Sequence, residues 1–397
     1  MLITYLFLFI SILDFKNYSD GIFIFQILIN LGLLVFGIII IINRLNKSIS
    51  KNLIIISLLI SLSLPAFLMN GVETVYFLKS LFPYFLLFCG YIAGEKIFNK
   101  IGQLKTIDLL FFVSSSSMIL TALYAIFISG INFQEMRYEI LSSIIIILTS
   151  ISISYILFFK KNYFISCFNL TLSFLIILVS ATRGALLVYL LNIIIALSIA
   201  PFSSYKKCIN KFLIFIFIVS LSSYYFLPNY FHNFYDRIFL FQELGFDITT
   251  ETRLAEIDFQ INMWLNNPIT FLVGNGLGEA YGFSGIHQDN LVKFFGGHID
   301  NLSEVNWSFQ GHNFLIYSLF SQGILGAVII PYILLRSLFS SLKNLRSSPF
   351  NMAMTLLLSM VTILLIVGNP MGSRIFAQYF GVLLGISFAS RGSNWIK

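Results

Sequence analysis

Several basic or titratable side chains stand at the edges of long apolar runs in this chain. Arg183 lies in Ser180-Ala181-Thr182-Arg183-Gly184 between two such runs, with no carboxylate near it in sequence. Arg374 follows Gly372-Ser373 at a comparable edge, and Arg253 opens an amphipathic stretch. Arg137 sits between Glu135 and Glu139, which are its expected partners. His312 stands just before an apolar run that begins at Phe314. A guanidinium at a membrane surface is costly without a partner. Its planar fork fits a phosphate or carboxylate best. A neutral imidazole is the commonest general base near neutral pH. The set therefore suits a clamp on a lipid-linked phosphate with a candidate general base. The plainer alternatives are an interfacial anchor for Arg183 and a capping or core role for His312.

The segment that carries most of this chemistry, 228–311, departs from the composition around it. It holds ten of the chain's 17 acidic residues, among them Asp247, Glu251 and Glu256, and three of the four histidines. Within it, 252–266 reads as an amphipathic helix. Leu254, Ile257, Ile261, Trp264 and Leu265 recur at helical spacing, with Glu256, Asp258, Gln260 and Asn262 between them. Thr250 or Thr252 is the expected cap, and Asn267-Pro268 stops the helix. Gly274-Asn275-Gly276-Leu277-Gly278 follows, where glycines permit close backbone approach. It has no βαβ context, so it is not a dinucleotide fingerprint. The stretch 282–311 shows no clear period and reads as irregular. His287, His298 and His312 with Asp289 and Asp300 fit no standard ligand spacing, so no metal site is assigned. Trp264, Tyr281, Phe283, Trp307 and Phe309 could stack on sugar rings or simply pack. The ten carboxylates read as a solvated or sugar-binding surface.

The remaining elements must hold these groups at a membrane. Of 397 residues, 58% are hydrophobic and 10% charged. A bilayer core needs about 20 apolar residues per helix. The runs 21–43, 51–69, 74–97, 107–129, 139–159, 163–181, 184–201, 210–227, 314–341, 350–368 and 374–390 meet or approach that length. With the shorter stretch 2–13, this predicts an all-α polytopic protein of about 11–12 transmembrane helices and one large, partly helical outer loop. The expected division is 1–227, 228–311 and 312–397 within one membrane domain. The first apolar stretch has no basic residues before it, so no cleavable leader is expected. Lys and Arg cluster in alternate loops and at the C-terminus, the positive-inside pattern. This places the C-terminus in the cytoplasm and 228–311 outside. The same pattern accounts for the net charge of +7 without nucleic acid. The three cysteines, Cys89, Cys167 and Cys208, all lie outside that loop, so packing must shape it.

The order of motifs resembles the O-antigen ligase and polymerase superfamily of bacterial envelope proteins. The elements are Ala181-Thr182-Arg183-Gly184 at a helix end, Thr252-Arg253, Trp264-x-x-Asn267-Pro268 and Gly274-x-Gly276-x-Gly278. His312-Asn313-x-x-Ile316 and Gly323-Ile324-Leu325-Gly326 complete the order. The resemblance covers 180–330 in detail. It implies a metal-independent, cofactor-free, inverting glycosyltransferase in the bacterial inner membrane, with its active site on the periplasmic side. The donor it implies is an undecaprenyl-pyrophosphate-linked oligosaccharide, and a chain-length regulator is a candidate partner. On the matched motifs, Arg183 and Arg253 bind the donor pyrophosphate and His312 serves the acceptor hydroxyl. Arg374, Trp264, Asn313 and Gly276 make up the expected substrate-binding set, Arg374 by position alone. The chain is rich in Phe and Ile with many Asn and Lys residues, a composition common in polysaccharide gene clusters, which favours the polymerase branch over the ligase. A lipid-linked-oligosaccharide flippase is the rival class. It would carry charge along its spans, whereas Glu73, Lys79, Glu95 and Asp108 sit near span ends.

Overall fold

The computed structural model describes residues 1–13, 23–45, 51–127, 144–180, 182–200, 247–280, 282–294 and 311–392, with single positions between 221 and 235. Every regular element among them is helical. The chain is an all-α polytopic membrane protein. The helices are α1 (Leu2–Ile10), α2 (Phe23–Leu45), α3 (Lys51–Asn70), α4 (Thr74–Phe127), α5 (Ile144–Ser154), α6 (Tyr163–Val179) and α7 (Arg183–Ile199). They continue as α8 (Ile248–Asn266), α9 (Ile269–Val273), α10 (Gly285–Phe294), α11 (Phe314–Ala327), α12 (Ile329–Lys343), α13 (Pro349–Val367) and α14 (Arg374–Gly392). The expected span 210–227 lies almost wholly outside the described residues.

Fewer single helices are long and apolar enough to cross a bilayer than the span count suggests. Among the described residues there are four, Phe25–Arg44, Asn52–Asn70, Thr74–Tyr124 and Pro349–Val367, and α11 with α12 make a fifth as a pair bent by 70°. At 51 residues, Thr74–Tyr124 is far longer than one crossing needs. It breaks at Gly102, whose φ of 75° is left-handed, so two expected spans run on as one element. Other expected spans are shorter apolar helices: Leu2–Leu13, Ile144–Phe159, Tyr163–Val179 and Arg183–Ile199.

Exposed Leu28, Leu31, Val35, Ile38 and Ile42 recur every three or four residues on α2. Such a stripe would be unfavourable in water and is the normal lipid-facing surface of a membrane helix. Inside the bundle, polar side chains bond between helices. Asn169 Nδ2 donates to Ser115 Oγ and Asn192 Nδ2 to Ser150 Oγ, each at 2.9 Å.

The closest helix pair is α4 with α14. Gly90 and Gly94 on α4 face Gln378 and Val382, and Gly381 and Gly385 on α14 face Leu87 and Tyr91. A Cβ at any of the four would stand 2.1–2.3 Å from a backbone carbonyl oxygen of the other helix. Each helix thus carries a small-x-x-x-small pattern that lets the two backbones meet. This contact fixes α14, whose first residue is Arg374.

Candidate functional site

The site is built on α8, which starts earlier than its apolar period suggests. The cap is Asp247, which accepts the Thr250 N–H at 3.2 Å and the Thr250 hydroxyl at 2.8 Å. A carboxylate here satisfies an orphan N–H and favours the positive end of the helix dipole. Asp247 also accepts Arg183 Nη2 at 2.5 Å. Burial pushes the Asp247 carboxyl up, but bonds from Arg183 and Thr250 outweigh it and its pKa ends below the usual value. Arg183, the first residue of α7, therefore ties the start of α8 to a membrane helix.

The faces of α8 follow its apolar period only in part. Leu254, Ile257 and Trp264 are half-buried, but Glu256 and Gln260 are buried while Ile261 and Leu265 are 41% and 74% exposed. The reason is the surroundings: at a bilayer edge an apolar residue can face lipid, so hydrophobic period no longer marks the core. Exposed Ile269, Phe271 and Leu272 on α9 extend the same apolar surface.

Arg253, Glu256, Gln260 and Trp264 recur at helical spacing and share one side of α8. On the other side, the Ser284 N–H donates to Ala255 O at 3.2 Å, Asn262 Nδ2 donates to Ser284 Oγ at 2.9 Å, and Phe259 meets Phe320 at 6.0 Å. Among the described residues, buried Arg253 Nε, Gln260 Nε2 and Trp264 Nε1 find no hydrogen-bond acceptor. Three donors on one side of a helix suit a ligand rich in acceptors. The Trp264 ring stands edge-on to Phe271 with centroids 5.1 Å apart.

Glu256 is the residue that sequence reasoning missed. It is fully buried, and its Oε1 lies 2.5 Å from His312 Nδ1. It also accepts the His312 backbone N–H at 3.2 and 3.3 Å. An ionised carboxylate can only accept, so against it Nδ1 donates and Nε2 is the ring nitrogen left to act as a base. The His312 side chain is 57% exposed while its glutamate is 1% exposed. The assignment of the carboxylates to a solvated surface is thus wrong for Glu256. The signal in the sequence was Arg253-x-x-Glu256, two polar groups one turn apart.

A second histidine is held in the same manner. His287 Nδ1 lies 2.9 Å from Glu251 Oε2, which also accepts Asn290 Nδ2 at 2.9 Å. Those bonds from Asn290 and His287 hold the Glu251 carboxyl below its usual pKa. Both partners come from α10, a helix within a stretch expected to be irregular. Among the described side chains of α10 Leu291 alone is buried, so the apolar period there is weak. His287 and His312 are bound to different carboxylates, and no group of three or more metal-type side chains gathers among the described residues. His298, Asp300, Arg137, Tyr281, Trp307 and Phe309 lie outside the described residues.

Asn313 and Gly276 take backbone roles. Asn313 caps α11, its Oδ1 accepting the N–H groups of Leu315 and Ile316 at 2.9 and 3.2 Å, and its Nδ2 donates to Ile366 O at 2.7 Å. The Gly274–Gly278 run wedges between the α3–α4 turn and α11. Asn275 N–H donates to Phe320 O at 2.7 Å and Gly276 N–H to Ser321 O at 3.0 Å. Gly274 has φ 82°, and a Cβ there would fall 2.4 Å from Gln322 N. Gly323 breaks α11 at φ 61°, facing Leu272 O where a Cβ would fall at 2.3 Å. Gly276 itself lies against Phe67 near the α3 end and Val72 in the α3–α4 turn. Arg374 opens α14 and donates Nη1 to Asn30 Oδ1 on α2 at 2.7 Å.

The arrangement joins a buried carboxylate, an exposed imidazole and an arginine with an unmet donor, all beside an apolar surface. It can remove a proton from a hydroxyl and hold an anion near lipid. No curated protein matches the chain. Residues 168–330 match the family model described as O-Antigen ligase. That stretch contains Arg183, all of α8, His287 and His312, and leaves Arg374 outside. Residues 168–330 of this membrane protein are therefore similar to the O-antigen ligase family, whose members are glycosyltransferase-type enzymes.

Proposed function

We propose that this protein polymerises an envelope polysaccharide at the periplasmic face of the bacterial inner membrane. The donor is a growing glycan on undecaprenyl pyrophosphate, and the acceptor is the next lipid-linked repeat unit. The observation that carries the reading is the His312–Glu256 pair beside Arg253, at the edge of an exposed apolar surface that suits a polyprenyl chain.

In the reaction, His312 Nε2 takes the proton of the acceptor hydroxyl as its oxygen attacks the anomeric carbon of the donor sugar. The bond from that carbon to the pyrophosphate oxygen breaks, and undecaprenyl pyrophosphate leaves with the electron pair. Attack opposite the leaving group inverts the anomeric carbon. Pyrophosphate is a good leaving group, so no general acid is required. Its developing charge is met by Arg253 and by Arg183, whose side chain keeps 37% exposure beside Asp247. With cations in these roles, the step needs no metal. Gln260 and Trp264 offer donors to glycan oxygens, and Arg374 stands at another helix start.

The ligase reading has its own support in the description of the matched family. It uses the same donor and chemistry and differs in the acceptor, which is lipid A core. Deleting the gene and resolving the surface glycan on a gel separates the two. Core bearing one repeat unit is expected. Bare core would turn the assignment to a ligase, and an unchanged full-length ladder would overturn both.

A further inference from the structure

The other end of the bundle carries a second cationic site that glycosyl transfer does not use. α14 starts close to the His312 end, where Asn369 Nδ2 donates to Gly311 O and Phe314 N–H to Gly368 O. It then runs the length of the bundle to Arg391. There Arg391 Cζ lies 4.3 Å from the centroid of the Phe388 ring, and Arg336 Cζ of α12 lies 5.9 Å from the same centroid. Two guanidinium groups thus share one aromatic ring, within cation–π range.

Neutral groups hold them in place. Arg391 Nη2 donates to Arg336 O at 3.1 Å and to Ser337 Oγ at 3.2 Å, and Ser337 Oγ donates to Ser387 Oγ at 2.7 Å. Arg336 Nη1 donates to Asn52 Oδ1 at 3.3 Å. Tyr91 braces the ring from α4, its centroid 6.0 Å from that of Phe388. Among the described residues neither arginine forms an ion pair, although Arg44 pairs with Glu95 on neighbouring helices. Two like charges fixed close together without a counter-ion raise each other's free energy, and an anion placed between them relieves it. The surface beside them is apolar. Leu335, Phe339 and Leu342 of α12 are exposed at helical spacing.

We propose that Arg336 and Arg391 bind the phosphate of an anionic phospholipid, whose acyl chains lie along Leu335, Phe339 and Leu342. A single phosphodiester can accept from both forks, and basic pockets between membrane helices are suited to such headgroups. The site is independent of the glycan chemistry at α8.

The test uses the full-length protein in neutral-lipid nanodiscs, titrated with phosphatidylglycerol. Bound lipid is counted by native mass spectrometry, and thermal stability is read in parallel. Arg336→Gln is expected to weaken phosphatidylglycerol binding about fivefold, and the Arg336→Gln/Arg391→Gln pair more than tenfold. Phosphatidylcholine and inorganic phosphate should give no shift, and Arg346→Gln, a neighbouring basic position, should bind as wild type. Arg336 is exposed, so the single variant keeps the packing even if the double variant loses it. The proposal is overturned if Arg336→Gln retains full phosphatidylglycerol binding. It is also overturned if Arg346→Gln weakens binding equally, which would indicate diffuse charge, or if inorganic phosphate alone stabilises as well as the lipid.

Discussion

Replacing Glu256 by glutamine tests whether the buried carboxylate sets His312 for proton removal. The side chain keeps its shape, so the change falls on hydrogen bonding. Glu256 accepts from the His312 ring at Oε1 and from the His312 backbone N–H through both oxygens. An amide has one acceptor oxygen and cannot serve both places equally. With its oxygen toward the ring, that oxygen keeps the backbone N–H at 3.3 Å but the second acceptor becomes an NH2 group, and neutral bonds replace charge-assisted ones. With its oxygen toward the backbone, the NH2 group faces Nδ1. That moves the ring proton to Nε2 and removes the base. Charge-assisted bonds contribute about 1.5–3 kcal/mol and neutral ones about 1 kcal/mol. The difference of about 1–2 kcal/mol corresponds to roughly a five- to thirtyfold lower rate, and more where the wrong tautomer dominates. The assay is glycan extension by purified protein in liposomes with lipid-linked repeat units, read as a ladder on a gel. The expected result is a lower kcat with an unchanged KM for the lipid-linked donor. Combining Glu256→Gln with His312→Ala should cost no more than His312→Ala alone, since both act through one group. A Glu256→Gln rate within twofold of wild type at equal abundance would refute the reasoning, as would fully additive losses in the double variant.

Arg253 carries the donor side of the same step. Arg253→Lys should lose at least tenfold in kcat/KM measured on the same ladder, because an ammonium cannot reproduce the two-pronged contact with pyrophosphate. The Glu251 contact predicts a pH effect on α8 and α10. Its carboxyl is held low by Asn290 and His287, so the stabilisation is present above the unfolded carboxyl value of about 4.3 and is lost as pH falls through the lower folded value. Hydrogen exchange of α10 amides should therefore speed up on acidification through that window, and Glu251→Gln should flatten the change.

The sequence showed what depends on composition and local order. Apolar run lengths gave the membrane class, and Asn267-Pro268 marked where α8 ends. What it concealed depends on the membrane surface and on long-range pairing. The apolar period of 252–266 marks a helix but does not say which of its members face the bundle and which face a membrane. With lipid as the neighbour, Ile261 and Leu265 face out and Glu256 and Gln260 face in. Asp247 is 64 residues from Arg183 and Glu256 is 56 from His312, so no local pattern could join them. Gly276 was expected to meet substrate. The structure gives the glycine a packing reason, since a Cβ there would stand 3.2 Å from Phe67 N and from Val72 Cγ2.

The pairings on α8 also explain why one short helix can organise a site between membrane segments. Asp247 binds α7 through Arg183, Glu251 binds α10 through His287 and Asn290, and Glu256 binds the residue before the α11 cap. Each carboxylate reaches a different element, so α8 cannot shift without straining contacts to all three. Exposed pairs of this kind contribute little to stability singly. Glu256 differs because it is buried, and a buried carboxylate left without its partners is strongly unfavourable. Its two contacts to His312 therefore hold the imidazole and the start of α11 to α8 together. Arg253 lies one turn away on the same helix, which in the proposed mechanism sets the spacing between the group that takes the proton and the group that meets the leaving phosphate. Under the proposed reaction, a rigid helix keeps that spacing through each round of transfer onto a lengthening chain.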